Sequence, residues 1–138
     1  MSGLVENENE DPYDVTMKFI QEDLGLGDEI TINDIDRCHR IGPKTNTERP
    51  RQMILKLATY RIRRKVYSAR KKLIDDDSTI YVNEDLTRAR ATTLWEARKV
   101  KKTGKIKECW TSDGAILVRK EKNSKPVVIH NAKDLEQL

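Results

Sequence analysis

Acidic and basic side chains are sorted along this 138-residue chain. Residues 1 to 36 hold eleven acids and one base, Lys18, a net of −10, while residues 37 to 138 hold 26 bases and twelve acids, a net of +14. The basic share is bunched further. Between Arg49 and Lys72 stand ten Lys or Arg and no acid, and between Arg88 and Lys107 stand eight against Glu96 alone. Mixed-sign runs usually do no more than solvate a helix face. A long cationic run without acids makes a field that attracts polyanions and speeds encounter with them, which points to a polyphosphate partner.

Composition limits what such a chain can build. Hydrophobic residues make up 36% and charged residues another 36%, so the core is thin and the shell heavily solvated. A mass of 16.0 kDa suits one ordinary domain or two very small ones. No apolar run approaches the roughly 20 residues that span a bilayer, and the acidic start lacks the basic and apolar regions of a signal peptide. Membrane insertion and secretion are not expected. Cys38 and Cys109 have no CxxC or Cys/His spacing around them, so they read as reduced thiols of an intracellular protein rather than as a disulfide or a zinc site.

Periodicity predicts the elements. Asp11-Pro12 reads as N-cap and first helical residue, and Tyr13, Met17, Ile20 and Leu24 recur at helical spacing until Gly25 and Gly27 stop the pattern. Alternation predicts strands over 35–41 and 52–57, joined by a polar loop after Gly42-Pro43 that runs through Asn46 and Glu48. Ile62, Val66, Ala69 and Leu73 then give a helix with one apolar and one cationic stripe. A short strand over 79–82 follows the acidic break at Asp75-Asp76-Asp77. Asn83, Glu84 and Asp85 are candidate caps for a helix over about 86–102 with Leu94, Ala97 and Val100 inward. Asp113-Gly114 between two strand-like runs is a hairpin signal, and a last strand over 127–129 precedes Asn131, a cap for a short terminal helix.

The stretches "DIDRCHRIG", "RPRQMILKLATYRIRRKVYSARKKL", "IYVNEDLTRARATTLWEARKVKK" and "CWTSDGAILVRK" carry a resemblance. Together, over about residues 12 to 138, the chain resembles the unit of an RNA-recognition motif and C-terminal domain found in first-open-reading-frame proteins of LINE-type retrotransposons. From about Lys71 onward it is equally similar to the C-terminal domain of the baculovirus few-polyhedra family. The resemblance implies RNA coating and strand-annealing chaperone activity without catalysis, and self-association through a coiled coil that this chain lacks. It sets the expected fold: α+β, with an acidic segment over 1–11, a partial RNA-recognition-motif-like lobe over 12–77, and a helix-hairpin-helix C-terminal lobe over 78–138. The motif's central first strand is expected to be missing or a stub, since only Met1 to Leu4 precede the acidic linker, as in an N-terminally truncated copy.

Readout is expected to rest on phosphates. Such motifs stack bases on aromatic residues of the sheet, yet no Phe, Tyr or Trp lies between Pro43 and Tyr60. Tyr81 is the candidate for stacking, although a tyrosine there more often packs at a sheet edge. Trp95 and Trp110 are expected in packing roles. The candidate nucleic-acid-binding residues are Arg51 and Lys56 on a strand, Arg61, Arg63, Arg64 and Arg70 around the second helix, and Arg88, Arg90, Arg98, Lys101 and Lys102 on the helix after "EDLT". The two groups are expected to line a cleft between the halves and to hold single-stranded RNA or DNA with little sequence preference.

Enzymatic chemistry is not indicated. His39 and His130 have no nucleophile or carboxylate arranged beside them, and Cys38 and His39, as strand neighbours, point to opposite faces. Asp75-Asp76-Asp77 lacks the second carboxylate cluster of a two-metal site, and no glycine-rich phosphate loop is present. No metal, cofactor or small-molecule substrate is expected. The other class of reading is a protein-interaction module, in which the acidic third docks on another copy or masks the chain's own basic surface; the few-polyhedra resemblance implies a further variant, a viral-assembly role.

Overall fold

A computed structural model describes residues 1–44 and 48–138, and the chain is an α+β protein of two compact units, residues 1–83 and 84–138. Part of the polar loop expected after Pro43, Asn46 included, lies outside the described residues.

In the first unit, the Asp11 side chain accepts a hydrogen bond from the Tyr13 N–H, and Pro12 opens α1 (Pro12–Lys18). One π-helical turn over Phe19–Asp23 replaces the expected straight run to Leu24, and it buries Phe19 and Ile20. Strand β1 (Ile35–Arg40) pairs antiparallel with β2 (Met53–Leu57), with a bulge between Ile35 and Arg37. The bulge turns Ile35, Cys38 and Arg40 inward and Asp36, Arg37 and His39 outward. The second predicted helix is two: α2 (Tyr60–Ala69), capped by Thr59, and α3 (Lys71–Asp75). Phe19, Ile20, Ile30, Met53, Val66 and Leu73 close this core.

The start of the chain lies inside this architecture. The Met53 N–H donates to the Met1 carbonyl at 2.8 Å, and the Met1 ammonium returns a bond to the Met53 carbonyl at 2.7 Å. Ser2 and Tyr81 exchange two 2.9 Å backbone bonds on the other side. Residues 1–2 therefore stand between β2 and the segment around Tyr81. The strand expected over 79–82 is reduced to this single bridge. Gly3 makes the approach possible: its φ is +89°, and a Cβ there would fall 2.6 Å from the Thr79 carbonyl oxygen. This pairing, with Ile80 and Val82 packed on the first core, moves the unit boundary from the expected 77/78 to 83/84. Nor do residues 1–11 form a segment apart, since Leu4 is buried in the same core.

The second unit runs α4 (Arg88–Lys102), β3 (Glu108–Ser112), β4 (Ala115–Arg119), β5 (Val127–Ile129) and α5 (Ala132–Glu136). The strands form one antiparallel sheet in the order β3-β4-β5. Asp113 and Gly114 have φ of +50° and +77°, the pair of left-handed residues that a two-residue hairpin turn needs. Ala97, Ile106, Ile116, Val118, Ile129 and Leu135 form a separate core. Asn131 caps α5 as expected, whereas the cap of α4 is Thr87, whose hydroxyl accepts from the Arg90 N–H. Among the described residues no helix is long and apolar enough to cross a membrane.

Candidate nucleic-acid interface

Helix α4 buries one face and leaves the other in water. Ala97 and Thr93 are buried, Leu94 and Val100 pack beside them, and the Thr93 hydroxyl donates to the Ala89 carbonyl. At the complementary spacing Arg88, Thr92, Trp95, Lys99 and Lys102 share the outer face, and all five are exposed. Arg98 and Lys101, also exposed, lie on its flanks, and Arg90 is exposed beside the hairpin tip, its guanidinium over Gly114. Lys99, Lys101 and Lys102 complement the negative end of the helix dipole. Arg88 and Arg90 do the reverse: they place positive charge in a first turn that holds no acid.

Trp95 corrects its expected packing role. Its side chain is 55% exposed, with the Lys99 ammonium 3.2 Å from the ring centroid and tied to Glu96 by a 3.4 Å contact. The signal was in the sequence: Trp95 is out of phase with Leu94, Ala97 and Val100 but in phase with Arg88, Lys99 and Lys102. Trp110 is half-buried on β3 under Arg119, whose guanidinium carbon is 5.1 Å from the ring and which also bonds Glu108 at 2.7 Å.

The first unit handles its cations differently. Arg40, unremarked in the sequence, is 8% exposed and donates to the Leu4, Val5 and Arg51 carbonyls and to Glu10, whose carboxylate it reaches at 2.7 Å. Arg51 is half-buried rather than presented to solvent: its side chain binds Glu6 and the Gly42 carbonyl, both at 2.8 Å, and its backbone N–H also donates to Glu6. Hydrogen bonds from Arg51 hold the Glu6 carboxyl down at about 2, and those from Arg40 lower that of Glu10. Around this double clasp lies an open cavity of about 370 Å³ lined by both arginines, both glutamates, Asn7, Asn9, Pro12 and Lys44.

Lys56 is exposed but pairs with Asp36 at 2.7 Å, a bond that lowers the Asp36 carboxyl, and Lys65 reaches Glu29 at 2.9 Å. Arg61 and Arg64 are exposed on the outer face of α2, and Arg63 is half-buried on its flank. Arg70 stacks on Tyr67 at 3.8 Å and donates to its carbonyl. Strand alternation turns Lys56 away from the core on which α2 packs, so Lys56 does not join the α2 cations on one surface. Tyr81 is 63% exposed, opposite Ser2.

Cys38 is buried, which pushes its thiol up, while its neighbour His39 is exposed on the other face of β1. Asp75, Asp76 and Asp77 are all exposed, and Asp76 pairs with Lys72. Among the described residues no group of three or more His, Cys, Asp or Glu side chains is placed to hold a metal ion.

A family model for baculovirus FP protein domain 2 matches residues 87–138, from the cap of α4 to the last residue. No curated protein and no solved structure matches the chain.

Proposed function

We propose that this chain binds single-stranded nucleic acid, RNA foremost, without catalysis and with little sequence preference, as a component of a retroelement ribonucleoprotein with strand-annealing activity. The observation that carries the reading is α4: Arg88, Arg98, Lys99, Lys101 and Lys102 are all exposed on one helix, with Glu96 its only acid. Cations in the first turn oppose the helix dipole, and a local rule broken without a structural gain is the mark of a functional surface. Arg61 and Arg64 on α2 add a second, smaller cationic face, and exposed Tyr81 is free to meet a base.

The retroelement assignment rests on the sequence resemblance. The antiparallel order of β1, β2, residues 1–2 and Tyr81 is compatible with the sheet of an RNA-recognition motif whose central strand is short. A second reading, a protein-interaction or viral-assembly module, is favoured by the FP-domain match over residues 87–138.

A salt-titrated binding assay with single-stranded RNA, single-stranded DNA and duplex separates the two. Engagement of about five to eight cations by a single strand gives a slope of log affinity against log salt of about −3.5 to −5.5. A slope near zero, or no binding, leaves the protein-interaction reading.

A further inference from the structure

We propose that Trp95 is a base-stacking platform: one base of a single strand lies on its indole while Arg88, Lys99 and Lys102 hold the neighbouring phosphates. The proposal rests on the nucleic-acid reading above and adds a contact to the bases that charge alone does not supply.

A tryptophan normally buries a large apolar area, and this chain has only seven aromatic residues with which to fill two cores. Yet α4 turns Trp95 to water with more than half its surface exposed. Its surroundings are cationic rather than apolar. Arg88 lies seven residues before it and Lys102 seven after on the same face, roughly 10 Å away in each direction along the axis. An apolar protein partner pressed onto this stripe would strip water from ammonium and guanidinium groups without pairing them, which is costly. A polynucleotide meets both needs: bases for the ring, phosphates for the cations.

The Lys99 ammonium already over the ring shows that the indole face is available to a ligand. Its tie to Glu96 is long and exposed, and such a contact holds weakly. An arriving base displaces the ammonium, and Lys99 then turns to the adjacent phosphate. Stacking is tolerant of sequence because every base has a π-face, in keeping with low specificity.

The test uses the full chain carrying Trp110→Phe, which leaves Trp95 as the sole indole. It is titrated with oligouridylate and with an abasic oligomer of equal length and charge. Trp95 emission is expected to change with the first and not with the second. Trp95→Ala is expected to weaken oligouridylate binding about tenfold or more and abasic binding not at all, with the salt slope unchanged, and Trp95→Phe to restore most of the loss.

If Trp95→Ala binds both oligomers as the parent does with its slope intact, stacking is overturned and electrostatic binding stands. If the parent binds neither oligomer, both readings fall together. Tighter binding of polyglutamate than of oligouridylate at Trp95 overturns the proposal in favour of an acidic protein partner.

Discussion

The first unit holds fourteen basic and fifteen acidic residues and the second thirteen basic and eight acidic, so one is nearly neutral and the other carries +5. The difference in use is larger than the difference in count. In the first unit Glu6, Glu10, Glu29 and Asp36, all from the acidic third, meet Arg51, Arg40, Lys65 and Lys56. The division of −10 against +14 is thus partly closed within one small fold, as masking would require, but at positions that build the fold. In the second unit the cations of α4 face outward. Clustered charge in a sequence can become internal mortar or an external surface, and only the three-dimensional partners tell which.

The largest expected effect breaks the first unit alone. Arg40→Met removes the cation that satisfies Glu10 and three carbonyls, leaving a largely buried carboxylate and acceptors without donors. Loss of one partner of a buried pair costs about 3–5 kcal/mol. Denaturant unfolding followed by amide exchange is expected to show β1 and β2 losing protection while β3–β5 keep theirs. Equal loss in both units would mean that they unfold as one. Deletion of residues 1–11 is expected to weaken the first unit in the same way, because it removes buried Leu4 and the pairing of Met1 with Met53 and of Ser2 with Tyr81.

The next comparison sets helix against helix. Replacing Arg98, Lys101 and Lys102 by Gln is expected to make the salt slope shallower by about 2, since each phosphate contact on a single strand contributes about 0.7. Replacing Arg61 and Arg64 by Gln gives about 1.4 at most by the same arithmetic. Cross-linking to RNA should fall more with the α4 variant. A larger change from the α2 pair would make the first unit the main binding surface.

How far the sequence could be read follows from which interactions are local. The cap at Asp11-Pro12, the Asp113-Gly114 turn and the phase of α4 are set within a few residues, and all were legible. The position of residues 1–2 was not, because Met1 meets Met53 and Ser2 meets Tyr81 across long separations. The tie of Arg51 to Glu6 was not legible for the same reason, since the two lie 45 residues apart. Arg40 was hidden by the bulge: strict alternation from Ile35 turns it outward, and only the register shift between Ile35 and Arg37 brings it to the core side. The exposure of Trp95 is local too, since its helical phase sets it with Arg88, Lys99 and Lys102 and apart from Leu94, Ala97 and Val100.

The smallest effect tests whether the acidic clasp belongs to the first unit's stability. Glu6 titrates at about 2 in the fold against an ordinary 4.5, because Arg51 donates to it from both side chain and backbone. A carboxylate depressed by folding stabilises fully above its unfolded value and loses that contribution as pH falls through its folded one. The stability that Glu6 supplies is therefore complete above about 4.5 and fades down to about 2, and the lowered Glu10 and Asp36 carboxyls act in the same direction. Glu6→Gln should be modestly less stable at neutral pH, as the loss of a half-exposed pair would give, and should lose less on acidification. Its stability curve and the parent's then converge toward pH 2. Curves that stay parallel from neutral pH down would show that the contact between Glu6 and Arg51 does nothing for folding.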